Sequence, residues 1–314
     1  MRLFVRHAVL LGICASALCL VAGEPTAGDG FAAIKVGVVS DSHVGGNPEN
    51  GRAWRKALEL FRAANVDVVV HAGDMTERGT LAELQQVMQT WNEVFTGGTN
   101  ACGGAVMPVF CFGNHDYHDA SFQRSKPMTD EEKASAIVCN KDAAWQLIAG
   151  EPFPGEVWSR RVKGFHFVVA HWKHESENAQ WFASHPPEKG KPVFYVQHPH
   201  PKGTCFTPWT SSDAGRGVGA LLSRPDVISF SGHSHASVAD DRAFWHGAFV
   251  SLGAGALCGA VGVREFADEP RPAPLAGGRS RQATLVTVCG NRVTFESFEL
   301  DDARRVSVRE TTAW

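Results

Sequence analysis

The sequence predicts an α/β fold, because short β-branched segments alternate with amphipathic helical segments along most of its 314 residues. Residues 34–40 read IKVGVVS and residues 66–71 read VDVVVH, and both runs are typical of buried strands. Between them, apolar residues recur at helical spacing in residues 52–64. With 44% hydrophobic and 20% charged residues, the chain has enough apolar surface for a sizeable core, which excludes general disorder.

The following elements continue this alternation. A second amphipathic helix is predicted from Leu81 to Phe95. Apolar, β-branched runs predict further strands at Val106–Phe112, Phe165–Ala170, Val193–Gln197 and Val227–Phe230. Thr129 and Glu132 have the spacing of a capping box, which predicts one helix that continues through Ile148 and ends at Gly150.

The end of the chain has a different pattern. Ala283–Val288 and Arg292–Leu300 flank Gly290-Asn291, a hairpin turn signal, and the apolar alternation shifts between Phe295 and Phe298, which predicts a bulge. Residues 264–281 are rich in Pro, Gly and Arg and are expected to form a loop. There is no internal repeat, so residues 32–314 are expected to form one domain.

The first 22 residues resemble a secretory signal peptide. A short basic start with Arg2 and Arg6 precedes an uncharged run, Ala8–Ala22, and the first acidic residue is Glu24. A retained anchor is the alternative, but the run is shorter than the roughly 20 apolar residues of a membrane span. The chain is therefore expected to be exported, as a secreted or periplasmic protein, with no stable membrane span.

Charge and cysteine content limit the possible partners. The net charge is −3, and cleavage of Arg2 and Arg6 would make it −5, which does not favour binding to nucleic acid or to anionic membranes. A small anionic substrate would need a local source of positive charge, and protein partners stay open. Six cysteines follow the signal segment, none is in a CxxC pair, and their connectivity stays open.

Polar clusters follow five of the predicted strands. These clusters are Asp41-Ser42-His43, Gly73-Asp74, Gly113-Asn114-His115-Asp116, His198-Pro199-His200 and Gly232-His233-Ser234-His235. Each lies at the carboxyl end of its strand, which is where α/β folds place ligand sites. The clusters are therefore expected to converge on one edge of a sheet.

The residue types in these clusters indicate a metal centre. Asp41 and His43 are two residues apart, so an extended backbone would direct both to one side, and His233 and His235 repeat this spacing. With Asp74 and two further candidates, there are more ligands than one tetrahedral zinc ion needs. They suit two metal ions about 3.5–4 Å apart that share a carboxylate.

The glycines in three of the clusters directly precede candidate ligands. Gly73, Gly113 and Gly232 are expected at positions where the chain turns sharply. The identity of the metal ions stays open, because Asp, Asn and His ligands accept Fe, Mn, Zn, Co or Ni.

The motifs D-x-H, G-D, G-N-H-D, H and G-H-x-H occur in this order between about Ile34 and Leu257. In this respect the chain resembles the calcineurin-like metallophosphoesterases. The resemblance implies a two-sheet β-sandwich of mixed strands flanked by helices. Glu77 stands where the related purple acid phosphatases have a Tyr, so a ferric–tyrosinate site is not expected.

The resemblance also implies a role for each residue. Asp41, His43 and His235 would bind the first metal ion, and Asp74 would bridge the two. Asn114, His198 and His233 would bind the second. His200 competes with His198 as a ligand, although His198 directly follows the strand. His115 would stand beside the substrate phosphate, with Asp116 to orient it.

The expected function is hydrolysis of a phosphate ester by a metal-bridging hydroxide, with a phosphodiester favoured over a phosphomonoester as substrate. His115 or His200 would assist the departing alkoxide as a general acid. The alternative is a catalytically silent scaffold that keeps the fold and binds a partner. The complete ligand set argues against silence.

Overall fold

A computed structural model describes residues 33–118, 126–206, 219–266, 269–273 and 280–312. For residues 263–266 and 269–273 only the backbone is described. The predicted signal segment, residues 1–22, lies outside these residues. Five α-helices occur in the described chain: α1 (Pro48–Ala63), α2 (Leu81–Val94), α3 (Asp130–Ala134), α4 (Lys141–Ala149) and α5 (Glu175–Ser184). None of the described helices is long and apolar enough to cross a membrane.

Two six-stranded sheets of mixed strand direction form the body of the protein. The first contains, in spatial order, β14 (Arg304–Thr312), β13 (Arg292–Glu299), β12 (Gln282–Cys289), β1 (Ile34–Val39), β2 (Val68–Ala72) and β3 (Met107–Cys111). The second contains β4 (Val157–Val162), β5 (Phe165–Ala170), β6 (Val193–Val196), β7 (Val227–Ser231), β9 (Val250–Gly253) and β8 (Phe244–His246). This architecture confirms the fold class that the sequence predicts.

The strands that carry the polar clusters are parallel to one another within each sheet. In the first sheet, β1 pairs parallel with β2, and β2 with β3. In the second, β6 pairs parallel with both β5 and β7. The carboxyl ends of these strands therefore share an edge in each sheet.

The main hydrophobic core includes side chains from both sheets and from the helices. Val70 and Phe110 of the first sheet belong to the same buried cluster as Phe194 and Phe230 of the second. Trp54 of α1 is fully buried in that cluster. Every residue of β2 is buried, which explains why its sequence, VVVHA, is apolar except for His71 and does not alternate with polar residues.

The predicted helix from Thr129 to Ile148 is wrong as a single element. Its capping box is present at the start of α3, and Gly150 ends α4 in a left-handed conformation. Between α3 and α4, Ala136 forms an isolated antiparallel bridge with Thr80, and a 3₁₀ turn follows. This tertiary pairing interrupts the helix, and local sequence does not reveal it.

The C-terminal hairpin is confirmed, because β12 pairs antiparallel with β13 in continuous register. The predicted bulge is not part of this hairpin: the register shift, between Ser297 and Phe298, occurs where β13 pairs with β14. The predicted loop at residues 264–281 instead contains the hairpin of β10 (Gly262–Phe266) and β11 (Glu269–Ala273). Pro270 and Pro272 are two residues apart, so their backbone nitrogens face the same side of β11. Proline, which has no N–H group, is tolerated in a two-stranded ribbon because each strand has an unpaired edge.

All six cysteines of the described residues are free thiols. Cys111, at the end of β3, is buried, as its position in an apolar strand predicts.

Candidate metal centre

The candidate ligands come together from both sheets. Loops after β1, β2 and β3 carry Asp41, His43, Asp74 and Asn114, whereas loops after β6 and β7 carry the three remaining histidines. The expectation of one sheet edge is therefore too narrow, because the sandwich brings the carboxyl ends of two sheets together. Backbone bonds link the loops: Asp41 N–H donates to the Gly73 carbonyl (3.0 Å), and Gly232 N–H to the His198 carbonyl (2.8 Å).

Asp41, His43 and His235 form the first group of side chains. His235 Nε2 is 3.1 Å from Asp41 Oδ1 and 3.3 Å from His43 Nε2. His43 Nε2 is 3.8 Å from Asp41 Oδ1. Asp41 and His43 are almost completely buried. Three donor atoms thus face a common point.

Asn114, His198 and His233 form the second group. Asn114 Oδ1 lies 3.1 Å from His198 Nε2 and 2.9 Å from His233 Nδ1. Asp74 lies between the two groups, since its Oδ2 atom is 3.1 Å from His198 Nε2 and 3.7 Å from His43 Nε2. Its other oxygen, Oδ1, accepts a hydrogen bond from the His115 backbone N–H at 2.8 Å.

These distances suit a pair of metal ions. Metal–ligand bonds of about 2.0–2.2 Å place neighbouring donor atoms about 3–3.5 Å apart in tetrahedral or octahedral geometry. Most of the donor separations within the two groups are close to that range. The donors are carboxylate, amide oxygen and imidazole, which bind first-row transition metals. Asp74, with one oxygen near a histidine of each group, is placed as a shared ligand.

Five of the seven candidate ligands have left-handed backbone conformations. The φ angles are 53° for Asp41, 46° for His43, 54° for Asp74, 67° for His233 and 55° for His235. Such values are uncommon for residues other than glycine and cluster at functional sites. The side chains of the Asp41/His43 pair and of the His233/His235 pair are therefore brought together by turns. The expectation of an extended backbone at these pairs is wrong.

Only Gly73 among the three predicted glycines has a positive φ, of +98°. Gly113 and Gly232 are needed for close approach instead. A Cβ atom on Gly113 would lie 2.2 Å from Asp74 Oδ1, and one on Gly232 would lie 2.3 Å from Asp41 Oδ2. The missing side chains thus provide the space that two ligand carboxylates occupy.

The electrostatics of the centre indicate a site built for cations. Burial opposes the charge of Asp41, yet His235 and other nearby histidines hold the pKa of this carboxyl well below its ordinary value. Against the effect of burial, Asp74 raises the pKa of His198 to about 9, and Asp41 raises that of His235 to about 10. Protons on these histidines compensate the carboxylates in the metal-free protein, so metal binding must displace them.

The outer ring nitrogens of three candidate ligands have partners of their own. His198 Nδ1 is 2.8 Å from the Ala72 carbonyl oxygen, His43 Nδ1 is 3.1 Å from Glu77 Oε2, and His235 Nδ1 is 3.5 Å from Cys258 Sγ. Such contacts fix the tautomer and the orientation of a ligand histidine. Of these partners, only Glu77 stands out in the sequence, because it follows Asp74 by three residues. Cys258 follows no motif, and nothing in the local sequence distinguishes it.

The three residues predicted to act in catalysis occupy different positions. His115 is partly exposed beside the first group: its ring centroid is 4.3 Å from that of His43, and its Nδ1 is 3.0 Å from the Glu77 carbonyl oxygen. Asp116 is buried, and its carboxylate accepts hydrogen bonds from the backbone N–H groups of Thr76 and Gly113. His200 is also buried, with Nδ1 2.7 Å from Ser231 Oγ and Nε2 2.7 Å from Ser234 Oγ. Both of its ring nitrogens thus contact serines, whereas His198 faces Asn114 and Asp74.

A cavity of about 360 Å³ opens beside the first group. Its lining includes His43, His115, His235, Glu77 and Asn47. A substrate in this cavity would lie against the His115 side chain.

The family model for calcineurin-like phosphoesterases matches residues 34–237, which is more than half of the chain. The chain therefore belongs to the calcineurin-like phosphoesterase family. That matched region contains all seven candidate ligands. No curated protein sequence matches the chain.

Several solved structures share the fold at low sequence identity. A purple acid phosphatase from yellow lupin (Lupinus luteus) seeds is 13% identical, with a TM-score of 0.54 over 90% of this chain. The chain spans only 54% of that phosphatase. A dimetal phosphatase from Danio rerio is 12% identical, with a TM-score of 0.50, and the alignment covers 90% of this chain and all of that one.

The fold is also shared by GAP50, described as the anchor in the inner membrane complex of Plasmodium. It is 11% identical, with a TM-score of 0.52 and coverage of 90% of both chains. The same fold thus occurs in proteins described as phosphatases and in one described as an anchor.

Proposed function

We propose that this protein is a metal-dependent phosphoric-ester hydrolase with two metal ions. The observation that carries the proposal is the placement of Asp74 between two groups of ligand-type side chains, with its Oδ2 atom 3.1 Å from His198 Nε2 and 3.7 Å from His43 Nε2. A shared carboxylate is what a dinuclear centre requires. Asp41, His43 and His235 would hold one metal ion, and Asn114, His198 and His233 the other.

Two metal ions held here would polarise the phosphoryl oxygens and make hydroxide available at neutral pH. The protein's own residues keep the donors fixed: the left-handed turns, the glycines and the outer partners of the histidines all resist rearrangement. Such preorganisation removes the cost of assembling the ligands when the ester binds.

His115 is proposed as the group that assists the leaving oxygen. Its Nδ1–H donates to the Glu77 carbonyl oxygen, which directs Nε2 away from that contact. Burial lowers the pKa of His115, and the negative charge of Asp74 acts in the opposite direction. A bound anionic ester would add to the effect of Asp74, so that Nε2 takes up a proton and donates it to the departing alkoxide.

A phosphodiester is proposed as the preferred substrate. Glu77 lines the cavity. Its partial burial raises the pKa of the carboxyl, but hydrogen bonds with His43 and Lys126 lower it by more, to about 2. Lys126 pairs with this carboxylate at 2.6 Å and offsets part of its charge; the remaining negative charge repels a dianionic monoester more than a monoanionic diester. The chain's net negative charge further favours a small phosphorylated substrate over nucleic acid.

The test is hydrolysis of bis(p-nitrophenyl) phosphate and p-nitrophenyl phosphate by metal-free protein to which Mn²⁺ is added. We expect release from the diester at the higher rate, and loss of release on addition of EDTA. Release from neither substrate by protein that holds two metal ions would contradict the proposal and favour the scaffold alternative. Faster release from the monoester would overturn only the preference for diesters.

Export is proposed on the basis of the N-terminal segment, in which Arg2 and Arg6 precede an uncharged apolar run. N-terminal sequencing of the protein recovered outside the cytoplasm is expected to begin near Gly23. Recovery of the intact N-terminus in a membrane fraction would instead support a retained anchor.

A further inference from the structure

The chain segment that follows β9 bonds to both loops of the first ligand group. Leu257 N–H donates to the Ser40 carbonyl at 3.0 Å, and Cys258 N–H donates to the Asp41 carbonyl at 2.9 Å. Val261 N–H donates to the His235 carbonyl at 2.8 Å. Residues 257–261 form what we call the clasp segment. It joins the loop of Asp41 and His43 to the loop of His235.

The side chain of Cys258 continues this contact. Its Sγ atom lies 3.5 Å from His235 Nδ1, while Nε2 of the same ring lies 3.1 Å from Asp41 Oδ1 and 3.3 Å from His43 Nε2. The His235 ring therefore contacts the sulfur through Nδ1 and the candidate metal ligands of the first group through Nε2. Cys258 is half-buried in the wall of the cavity beside His235.

The two ring nitrogens of His235 consequently have different tasks. When Nε2 uses its lone pair to hold a cation, the neutral ring carries its proton on Nδ1. That Nδ1–H is directed at the sulfur, which is a weak acceptor. The hydrogen bond fixes the tautomer and the rotation of the ring, as the Ala72 carbonyl does for His198 in the second group.

From this arrangement we infer that Cys258 is a positioning residue for one of the two metal ions. It acts through His235 and stabilises binding of the ion held by Asp41, His43 and His235. The ion held by Asn114, His198 and His233 is expected not to depend on it, because the sulfur acts through His235, which belongs to the first group. The inference rests on the metal-binding part of the proposed function.

The test is a calorimetric titration of the metal-free, full-length protein with Mn²⁺, without substrate. The wild-type protein is expected to show two binding steps. Cys258→Ala is expected to weaken one step about 10-fold, at the low end of the range for loss of such partners, and to leave the other unchanged. Cys258→Ser is expected to restore the weakened step, because its hydroxyl also accepts a hydrogen bond.

Two further variants assign the weakened step. Cys289→Ala removes another half-buried thiol, at the end of β12, and is expected to leave both steps unchanged. His235→Ala is expected to weaken the same step as Cys258→Ala. In the His235→Ala background, the additional Cys258→Ala substitution is expected to have no effect on Mn²⁺ binding.

Several results would overturn this inference. These are an unchanged titration in Cys258→Ala, equal weakening of both steps, no difference between the Ser and Ala variants, or no Mn²⁺ uptake by the wild type. Thermal unfolding of each metal-free variant verifies that it is folded. A wild type that binds two Mn²⁺ ions but hydrolyses no ester would refute the proposed activity alone, whereas an active enzyme with an unaffected Cys258→Ala variant would refute only the role of Cys258.

Discussion

The carboxylate of Asp116 accepts two hydrogen bonds from Thr76, one from the backbone N–H at 2.9 Å and one from the hydroxyl at 2.7 Å. Its other oxygen accepts from the N–H groups of Met75 at 3.1 Å and Gly113 at 2.9 Å. Asp116 therefore joins the loop that follows Asp74 to the loop that contains Asn114. Burial and the nearby Asp74 raise its pKa to about 6, which leaves it ionised at neutral pH.

Asp116→Asn is expected to destabilise the protein. An amide group has only one oxygen, so its NH₂ group must face two of the N–H or O–H donors that now contact the carboxylate. Buried donors without an acceptor cost about 1–3 kcal/mol each, so two of them are expected to lower the free energy of unfolding by about 2–6 kcal/mol. Denaturant unfolding of the metal-free protein measures this change.

Thr76→Ser serves as the matched control for Asp116→Asn, because it keeps the hydroxyl that donates to Asp116. It removes one buried methyl group and is expected to lose only about 1 kcal/mol, less than Asp116→Asn loses. If Asp116→Asn lost no more stability than Thr76→Ser, the four hydrogen bonds would not matter for stability.

His115→Ala is expected to lower turnover and to leave the metal content close to that of the wild type. The side chain lines the cavity and is not one of the seven candidate ligands, and the backbone N–H, which donates to Asp74, is kept in the variant. Removal of a general acid typically costs about 10²–10⁴-fold in rate. Steady-state kinetics and elemental analysis of the same sample measure both quantities. Loss of metal from this variant would show that His115 is a ligand.

Gly232→Ala is expected to impair metal binding. The added Cβ atom would lie 1.8 Å from Ser40 Oγ and 2.3 Å from Asp41 Oδ2, so the first ligand loop must move. Overpacking of this kind costs about 1–3 kcal/mol. Elemental analysis after dialysis is expected to find less than two metal ions per chain.

Gly51→Ala is the control for Gly232→Ala. Gly51 lies within α1, and an added Cβ atom there meets no other atom within 4 Å. Alanine favours a helix over glycine by about 0.5–1 kcal/mol, so this variant is expected to be slightly more stable and to keep its metal. Equal metal content in both glycine variants would contradict the proposed role of Gly232.

The stability of the metal-free protein is expected to fall as the pH decreases from about 6.5 towards 3. Burial lowers the pKa of His71 to about 3, so the unfolded chain takes up a proton that the folded chain rejects. The contribution of His71 to stability is therefore complete above the ordinary histidine pKa and falls by about 1.4 kcal/mol per pH unit below it.

His71→Gln isolates the contribution of His71 to that acid sensitivity. The amide can replace the hydrogen bond that the ring makes with Ser42 Oγ at 2.9 Å, but it does not titrate. The free energy of unfolding is measured at intervals between pH 4 and pH 7. Its slope against pH is expected to be lower in this variant by about 1.4 kcal/mol per pH unit, which corresponds to one proton. Identical slopes in the two proteins would mean that His71 is not responsible.

The sequence by itself predicted the fold class, the strands that carry the site and the candidate ligands. Apolar runs such as VDVVVH identify buried strands because both faces of those strands are covered. Polar clusters at the ends of such runs identify candidate ligands, because parallel strands that share a sheet bring their carboxyl ends together. These features are local, so they can be read along the chain.

Only the tertiary structure decided how distant segments meet. The bridge between Thr80 and Ala136 divides a predicted helix, and the clasp segment places Cys258 next to His235 although 22 residues separate them in the chain. Contacts of this kind depend on the packing of two sheets, and no local periodicity encodes them. For the same reason the sequence left His198 and His200 as alternative ligands. In the folded protein His198 faces Asp74, whereas His200 lies between two serines.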